Sequence, residues 1–216
     1  MDDIYKTIAA PASGEYRDRG SKFIAYAFPV ETEEEALQRV REVRKQHPKA
    51  RHHCFAWQLG FGGERFRAND DGEPSGTAGR PILGQIDRWQ LTNVVVVVVR
   101  YFGGTLLGTS GLIQAYKGST AAALEAAEKV ERMAEAYFEV NFDYALMNAV
   151  MRAAKKPDLR IVKQDFSEKA QIVLAMPRSR TQELLHRFKA QVAGKREAEL
   201  DLDSAVPGLH IATCEF

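Results

Sequence analysis

Cysteine is almost absent from this 216-residue chain. Cys54 and Cys214 lie far apart, so they supply neither a disulfide framework nor a C-x-x-C metal pair, and a reducing cytoplasm is the expected compartment. Long apolar runs are missing too. The longest strongly apolar one, residues 94–99, is far too short to span a bilayer as a helix, and no membrane partner is expected. The opening residues, MDDIYKTIAAPASGEYRDRGSKF, begin with acids and lack the basic start and apolar h-region of a secretory signal. Neither sign of charge dominates: 30 Lys and Arg stand against 29 Asp and Glu, and a cut near residue 136 leaves 18 of each before it and 12 against 11 after. A balanced chain can bind nucleic acid only through a local patch, so composition neither supports nor excludes RNA.

What is present reads as two cycles of strand and helix. Residues 22–30 form an expected strand with Pro29 near its end. Thr32 and Glu35 then have capping-box spacing, acids fill the first turn of the next helix, and Arg41, Arg44, Lys45 and His47 fill its end before Pro48. This most basic stretch suits the helix dipole and reads as a solvated face, with a nucleic-acid patch as the alternative. A strand at 53–59, a turn at Gly60 to Gly63, a short partner at 64–68 and a short helix at 81–91 follow. Six valines after Asn93 are apolar at both parities, which predicts a central strand covered on both faces. Residues 111–135, rich in Ala, Leu and Glu, predict a helix. A second cycle predicts a strand at 137–143, a helix at 144–155, strands at 159–166 and 169–176, a helix at 178–193 and a final strand or two within 197–215. That βαββαβ order is the ferredoxin-like plan, and the expected domains are 1–135 and 136–216. In the 144–155 helix, Leu146 with Val150 and Met147 with Met151 have core spacing, and nothing in the second half looks catalytic.

Two segments hold most of the functional information: DDGEPSGTAGRP at residues 70–81 and RYFGGTLLGTSGL at residues 100–112. Each mixes turn-forming glycines with charged and hydroxyl groups that a core does not need. Gly103, Gly108 and Thr109 fit part of a P-loop frame, but Thr109 stands where lysine is required, and no G-x-G-x-x-G fingerprint occurs. What survives is a run of glycines between a central strand and a helix start, with Thr109 and Ser110 as expected caps and backbone N–H groups open to an anion. The alternative is that Gly103, Gly104, Gly108 and Gly111 merely permit positive φ and close strand–helix approach. Asp70, Asp71 and Glu73 fit general acid–base or hard-cation chemistry, and equally a rigid turn beside Pro74, Gly76 and Gly79; their order lacks the EF-hand frame. His52, His53 and Cys54 are consecutive on a strand and point to alternating faces, which disfavours zinc and a Cys–His nucleophile. No metal, cofactor or catalytic residue is assigned.

With SKFI at residues 21–24, ARHHCFAW at 50–57, DDGEPSGTAGRPIL at 70–83 and VVVVRYFGGTLLGTSGLIQAY at 96–116, the chain resembles the YigZ/IMPACT family over its whole length. The resemblance implies a two-domain α+β fold. Its first domain would be like the second domain of ribosomal protein S5 and domain IV of elongation factor G, and its ferredoxin-like second domain like domain V of that factor. It also implies a cytoplasmic, translation-associated regulator that binds RNA, the ribosome or a translation factor and has no established reaction. On this reading the two segments form one surface, and the protein is expected to be a monomer. Arg80, Arg100 and Lys117 would contact phosphate, Tyr101 and Phe102 would stack on a base if exposed, and the backbone from Gly103 to Gly111 would accept an anion. Ser75 and Thr77 join the binding set with Asp70, Asp71 and Glu73, although those acids would repel phosphate unless they bridge a metal or orient the bases. Two rivals stay open: an enzyme or small-ligand protein acting on a phosphorylated or peptide-like metabolite, and a module that engages a translation factor without touching RNA.

Overall fold

The computed structural model describes residues 3–167, 169–201 and 204–214. It divides into two compact units: Ile4–Arg132, and a second unit in which Asp3 joins the chain from Met133 onward.

In the first unit, β2 (Ala12–Asp18), β3 (Ser21–Pro29), β4 (His52–Leu59), β5 (Arg65–Asn69) and β6 (Val94–Tyr101) make one antiparallel sheet in the order β2-β3-β6-β4-β5. The valine strand is therefore its centre. Val94, Val96 and Val98 pack with α2 (Gly79–Arg88) and α3 (Gly108–Ala126), whereas Val95, Val97 and Val99 pack with α1 (Glu33–Gln46) on the other face. Alternating β side chains thus fill two cores at once, as the run of β-branched residues predicted. Thr32 caps α1 by accepting from the Glu35 N–H at 3.1 Å, while the Glu35 carboxylate accepts from the Glu31 N–H instead of closing the box on Thr32.

Three local readings differ. The helix predicted to reach residue 135 stops at Ala126, and β7 (Lys129–Met133) pairs with β1 (Ile4–Ile8), so tertiary pairing overrides helix propensity there. Strands β1 and β2 were not foreseen. The start of α3 is at Gly108 with Leu107 as N-cap and no side-chain cap bond, which places Thr109 and Ser110 inside the first turn and not in the capping position.

The second unit runs β8 (Glu135–Phe142), a 3-10 turn (Tyr144–Leu146), α4 (Met147–Ala154), β9 (Arg160–Asp165), β10 (Ala170–Pro177), α5 (Thr181–Val192) and β11 (Leu209–Cys214). Its antiparallel sheet has the order β11-β8-β10-β9, the ferredoxin-like arrangement. Phe138, Val140, Ile172 and Leu174 form a core with Val150, Leu184 and Phe188. Asp3 is tied into this unit: its carboxylate accepts from the Ser179 N–H at 2.7 Å and its carbonyl from the Ala134 N–H at 2.6 Å. The predicted final strand is β11; residues 202, 203 and 215 of that prediction lie outside the described residues. No helix among the described residues is long and apolar enough to cross a membrane.

Candidate functional site

The 70–81 segment leaves β5 and wraps into α2. Its turn geometry rests on Asp71 at φ +41° and on Gly72 and Gly76 at φ +87° and +78°. Ala78, the N-cap of α2, has no side chain able to satisfy the helix start; Asp70 does so from eight residues upstream. Its Oδ1 accepts from the N–H groups of Ala78 and Gly79 at 3.0 and 2.8 Å, and its Oδ2 accepts from Gly76 at 2.9 Å. Burial pushes the Asp70 carboxyl pKa up, but these three donors outweigh it and the net shift is downward. Asp71 accepts from Arg44 Nη2 and from the His53 N–H, both at 2.8 Å. One base of the α1 helix is thus engaged with the acidic segment.

Glu73 is buried, and Arg100 Nη1 lies 2.7 and 2.9 Å from its two carboxylate oxygens. The Tyr116 hydroxyl donates to the same carboxylate at 2.8 Å, and the Cys54 sulfur sits 3.3 Å from that hydroxyl and 3.0 Å from the Asp70 carbonyl oxygen. Burial raises the pKa of both Cys54 and Tyr116, so the thiol is protonated and unreactive at neutral pH. The three acids therefore divide among a helix cap, an exposed ion pair and a buried knot. Among the described residues no group of His, Cys, Asp and Glu has metal-site geometry.

That knot joins the two segments, because Glu73 belongs to the first while Arg100 opens the second and Tyr116 lies in the helix that follows it. Arg100, expected to contact phosphate, is 7% exposed and directed at Glu73. Tyr101 is half-buried, its hydroxyl 2.8 Å from His47 Nδ1, and the other ring nitrogen of His47 is 2.8 Å from the Tyr26 hydroxyl. Burial lowers the His47 pKa and keeps this bridge neutral. Phe102 is different: it is 56% exposed, with the Arg100 guanidinium carbon 5.7 Å from its ring centroid.

The glycines do two jobs. A Cβ on Gly103 would lie 1.9 Å from the Gly20 carbonyl carbon, so Gly103 exists for backbone approach, and its N–H donates to Ser21 Oγ at 3.1 Å. Gly104 and Gly108 turn the chain at φ +90° and +69° in open space. Of the remaining expected residues, Ser75, Arg80, Thr109, Ser110 and Lys117 are exposed, Gly111 is half-buried, and Thr77 is buried with its hydroxyl donating to the Pro74 carbonyl at 2.7 Å.

A cleft of about 640 Å³ opens beside Phe102, between the segment that enters β4 and the chain that leaves β6. It is lined by Lys49, Arg51 and His52 around the start of β4 and by Arg100, Tyr101, Phe102 and Leu106 from the end of β6 onward. The sequence reading missed Lys49, Arg51 and His52 as site residues. The available signal was the basic string P-K-A-R-H-H immediately before a strand that neighbours the valine strand.

These features define a two-unit α+β protein whose first unit presents a glycine-rich, basic and aromatic surface at the end of a central strand. The chain belongs to the IMPACT family. Residues 19–124 match the Impact N-terminal domain. YigZ of Escherichia coli, an IMPACT family member, is 32% identical, with 90% of this chain and 94% of that protein covered. The crystal structure of a hypothetical protein shares 29% identity with a TM-score of 0.68 and covers 100% of this chain and 99% of that one. The two-domain translational regulator Yih1 is 29% identical over 56% of this chain and 47% of its own, with a TM-score of 0.34.

Proposed function

We propose that this protein is a translation-associated regulator whose first unit binds RNA of the translation machinery through the surface that the two glycine-rich segments share. The observation carrying this reading is the fate of the acids. Free carboxylates would repel phosphate, yet Asp70 is held by three backbone N–H groups, Asp71 faces Arg44 and Glu73 is neutralised by Arg100. The same engagement removes the acid trio from the enzyme reading, for which it was the main support. Arg80 and Lys117 remain exposed on the helices that the Glu73 knot brings together, and the first turn of α3 offers N–H groups with no side-chain cap. Family membership, and the likeness of domain folds to translation proteins that it implies, favour RNA over an arbitrary polyanion by analogy.

The test is co-sedimentation with ribosomes and binding of labelled single-stranded RNA across a salt series. Affinity should fall with a slope of about 0.7 per neutralised phosphate in log–log form. Absence of binding at low salt, or binding indifferent to salt, overturns the reading.

A further inference from the structure

We infer that the cleft beside Phe102 is a nucleotide-binding site, taking a nucleobase against the Phe102 ring and its phosphate against Lys49 and Arg51. The inference rests on the RNA-binding reading above and gives it a location and a chemistry that the glycine-rich segments alone do not supply. Four observations converge. Lys49 and Arg51 are exposed, and neither forms an ion pair or side-chain hydrogen bond among the described residues. Among the described residues no carboxylate lines the cleft, and Glu73, paired with Arg100, is turned into the buried knot. The volume of about 640 Å³ accommodates a nucleotide unit with room for its neighbour.

The fourth observation concerns Arg100, whose Nε is one of four buried side-chain polar atoms without a partner among the described residues. Arg100 is 93% buried and lines the cleft, and its Nε has no hydrogen-bond partner. A buried, unpaired guanidinium N–H is costly, and because Nε is shielded from solvent an acceptor in the cleft reaches it only when the guanidinium shifts within the knot. The guanidinium carbon lies 5.6 Å from the Phe23 centroid and 5.7 Å from that of Phe102, which steadies Phe102 while leaving much of its ring in solvent. Leu106, 81% exposed, supplies an apolar rim on the same side. An exposed aromatic ring next to unpaired bases is the chemistry of base stacking with phosphate neutralisation. The source of the nucleotide is either a single RNA strand or a free mononucleotide.

The experiment is fluorescence anisotropy of the full chain with a labelled ten-residue oligouridylate, with uridine monophosphate as competitor and a second oligonucleotide carrying 5-iodouridine for photocrosslinking. Phe102→Ala should weaken oligonucleotide binding about 5- to 150-fold, from the usual worth of one base–aromatic stack. Phe102→Tyr should retain it. Lys49→Glu with Arg51→Glu should lower the salt slope by about 0.7, the single-strand value for the one phosphate they neutralise. The crosslink should map to the peptide containing Phe102. Weak competition by the mononucleotide identifies a strand as the ligand, and competition at equal affinity identifies a free nucleotide. If these variants bind like the wild type while Arg80→Glu with Lys117→Glu loses binding, the cleft is excluded and the RNA reading survives. If the wild type binds neither probe, both fall.

Discussion

Arg100 and Glu73 meet at 2.7 Å with side chains only 8% and 3% exposed, one from the end of the central strand and the other from the loop that precedes α2. This contact, with the Tyr116 hydroxyl on the same carboxylate, converts two segments far apart in sequence into one surface. Two buried charges have been taken out of water to make it, so the pair is most informative when only one partner is removed.

Arg100→Met should destabilise the first unit by about 3–5 kcal/mol, because it strands the Glu73 carboxylate in the interior. The double variant Arg100→Met with Glu73→Leu should recover most of that loss, since it removes both charges. Urea unfolding followed by circular dichroism checks this. A single variant within about 1 kcal/mol of wild type would show that the pair is hydrated in solution.

Asp70→Ala deprives three N–H groups of their acceptor, including two at the start of α2, and should cost at least about 2 kcal/mol, given the worth of hydrogen bonds to charged groups. The sign of the pH dependence follows from a folded-state pKa below the ordinary 3.8. The Asp70 contribution is fully present above the unfolded value and is lost as pH falls through the lower folded value. In acid titrations of stability, the gap between wild type and Asp70→Ala should therefore be constant near neutrality and close below about pH 4. A gap that widens on acidification would contradict the capping role.

Gly103→Ala and Gly104→Ala separate the two jobs of the glycines. At Gly104, which has φ +90° and open space, the cost is the left-handed backbone alone, about 1–2 kcal/mol. At Gly103 the new Cβ meets Gly20 and Ser21 backbone at 1.9 and 2.2 Å, so β3 and the loop must part and the loss should be larger. Thermal melting of the two variants gives the order directly, and equal losses would count against the close approach.

We propose that residues 1–135 and 136–216 fold separately, since each carries its own hydrophobic cluster. Expressed alone, each should melt cooperatively by circular dichroism. The second fragment should melt at lower temperature than the same unit within the full chain, because the Asp3 carboxylate and carbonyl bonds to Ser179 and Ala134 are then missing. Non-cooperative melting of both fragments would reject the division.

Much of this architecture is carried by local pattern. The Thr32 cap, the charge gradient of α1, the valine strand with two buried parities and the βαββαβ order of the second unit all follow from capping, periodicity and β-branching, which act over a few residues. Strands β1 and β2 escaped because their pattern is weak: β2 carries Gly14 within it, and that glycine is there because a Cβ would lie 2.2 Å from the Ala123 backbone nitrogen of α3. Residues 129–133 follow a strong helix former and become a strand only because β1 offers a pairing edge.

Residues 70–81 and 100–112 stand out in the linear pattern, and so does the two-domain α+β character of this family. Tertiary structure alone decided what each charged residue does. Asp70, Asp71 and Glu73 stand within four positions of one another, yet their partners lie on α2, α1 and β6, and no local rule assigns them. Arg100 reads as a free base until Glu73 arrives. Lys49 and Arg51 read as an ordinary loop until β4 is laid beside β6 and turns that loop into the wall of a cleft. Charge chemistry depends on burial and on partners across the sheet, and both come into existence only when the strands pair.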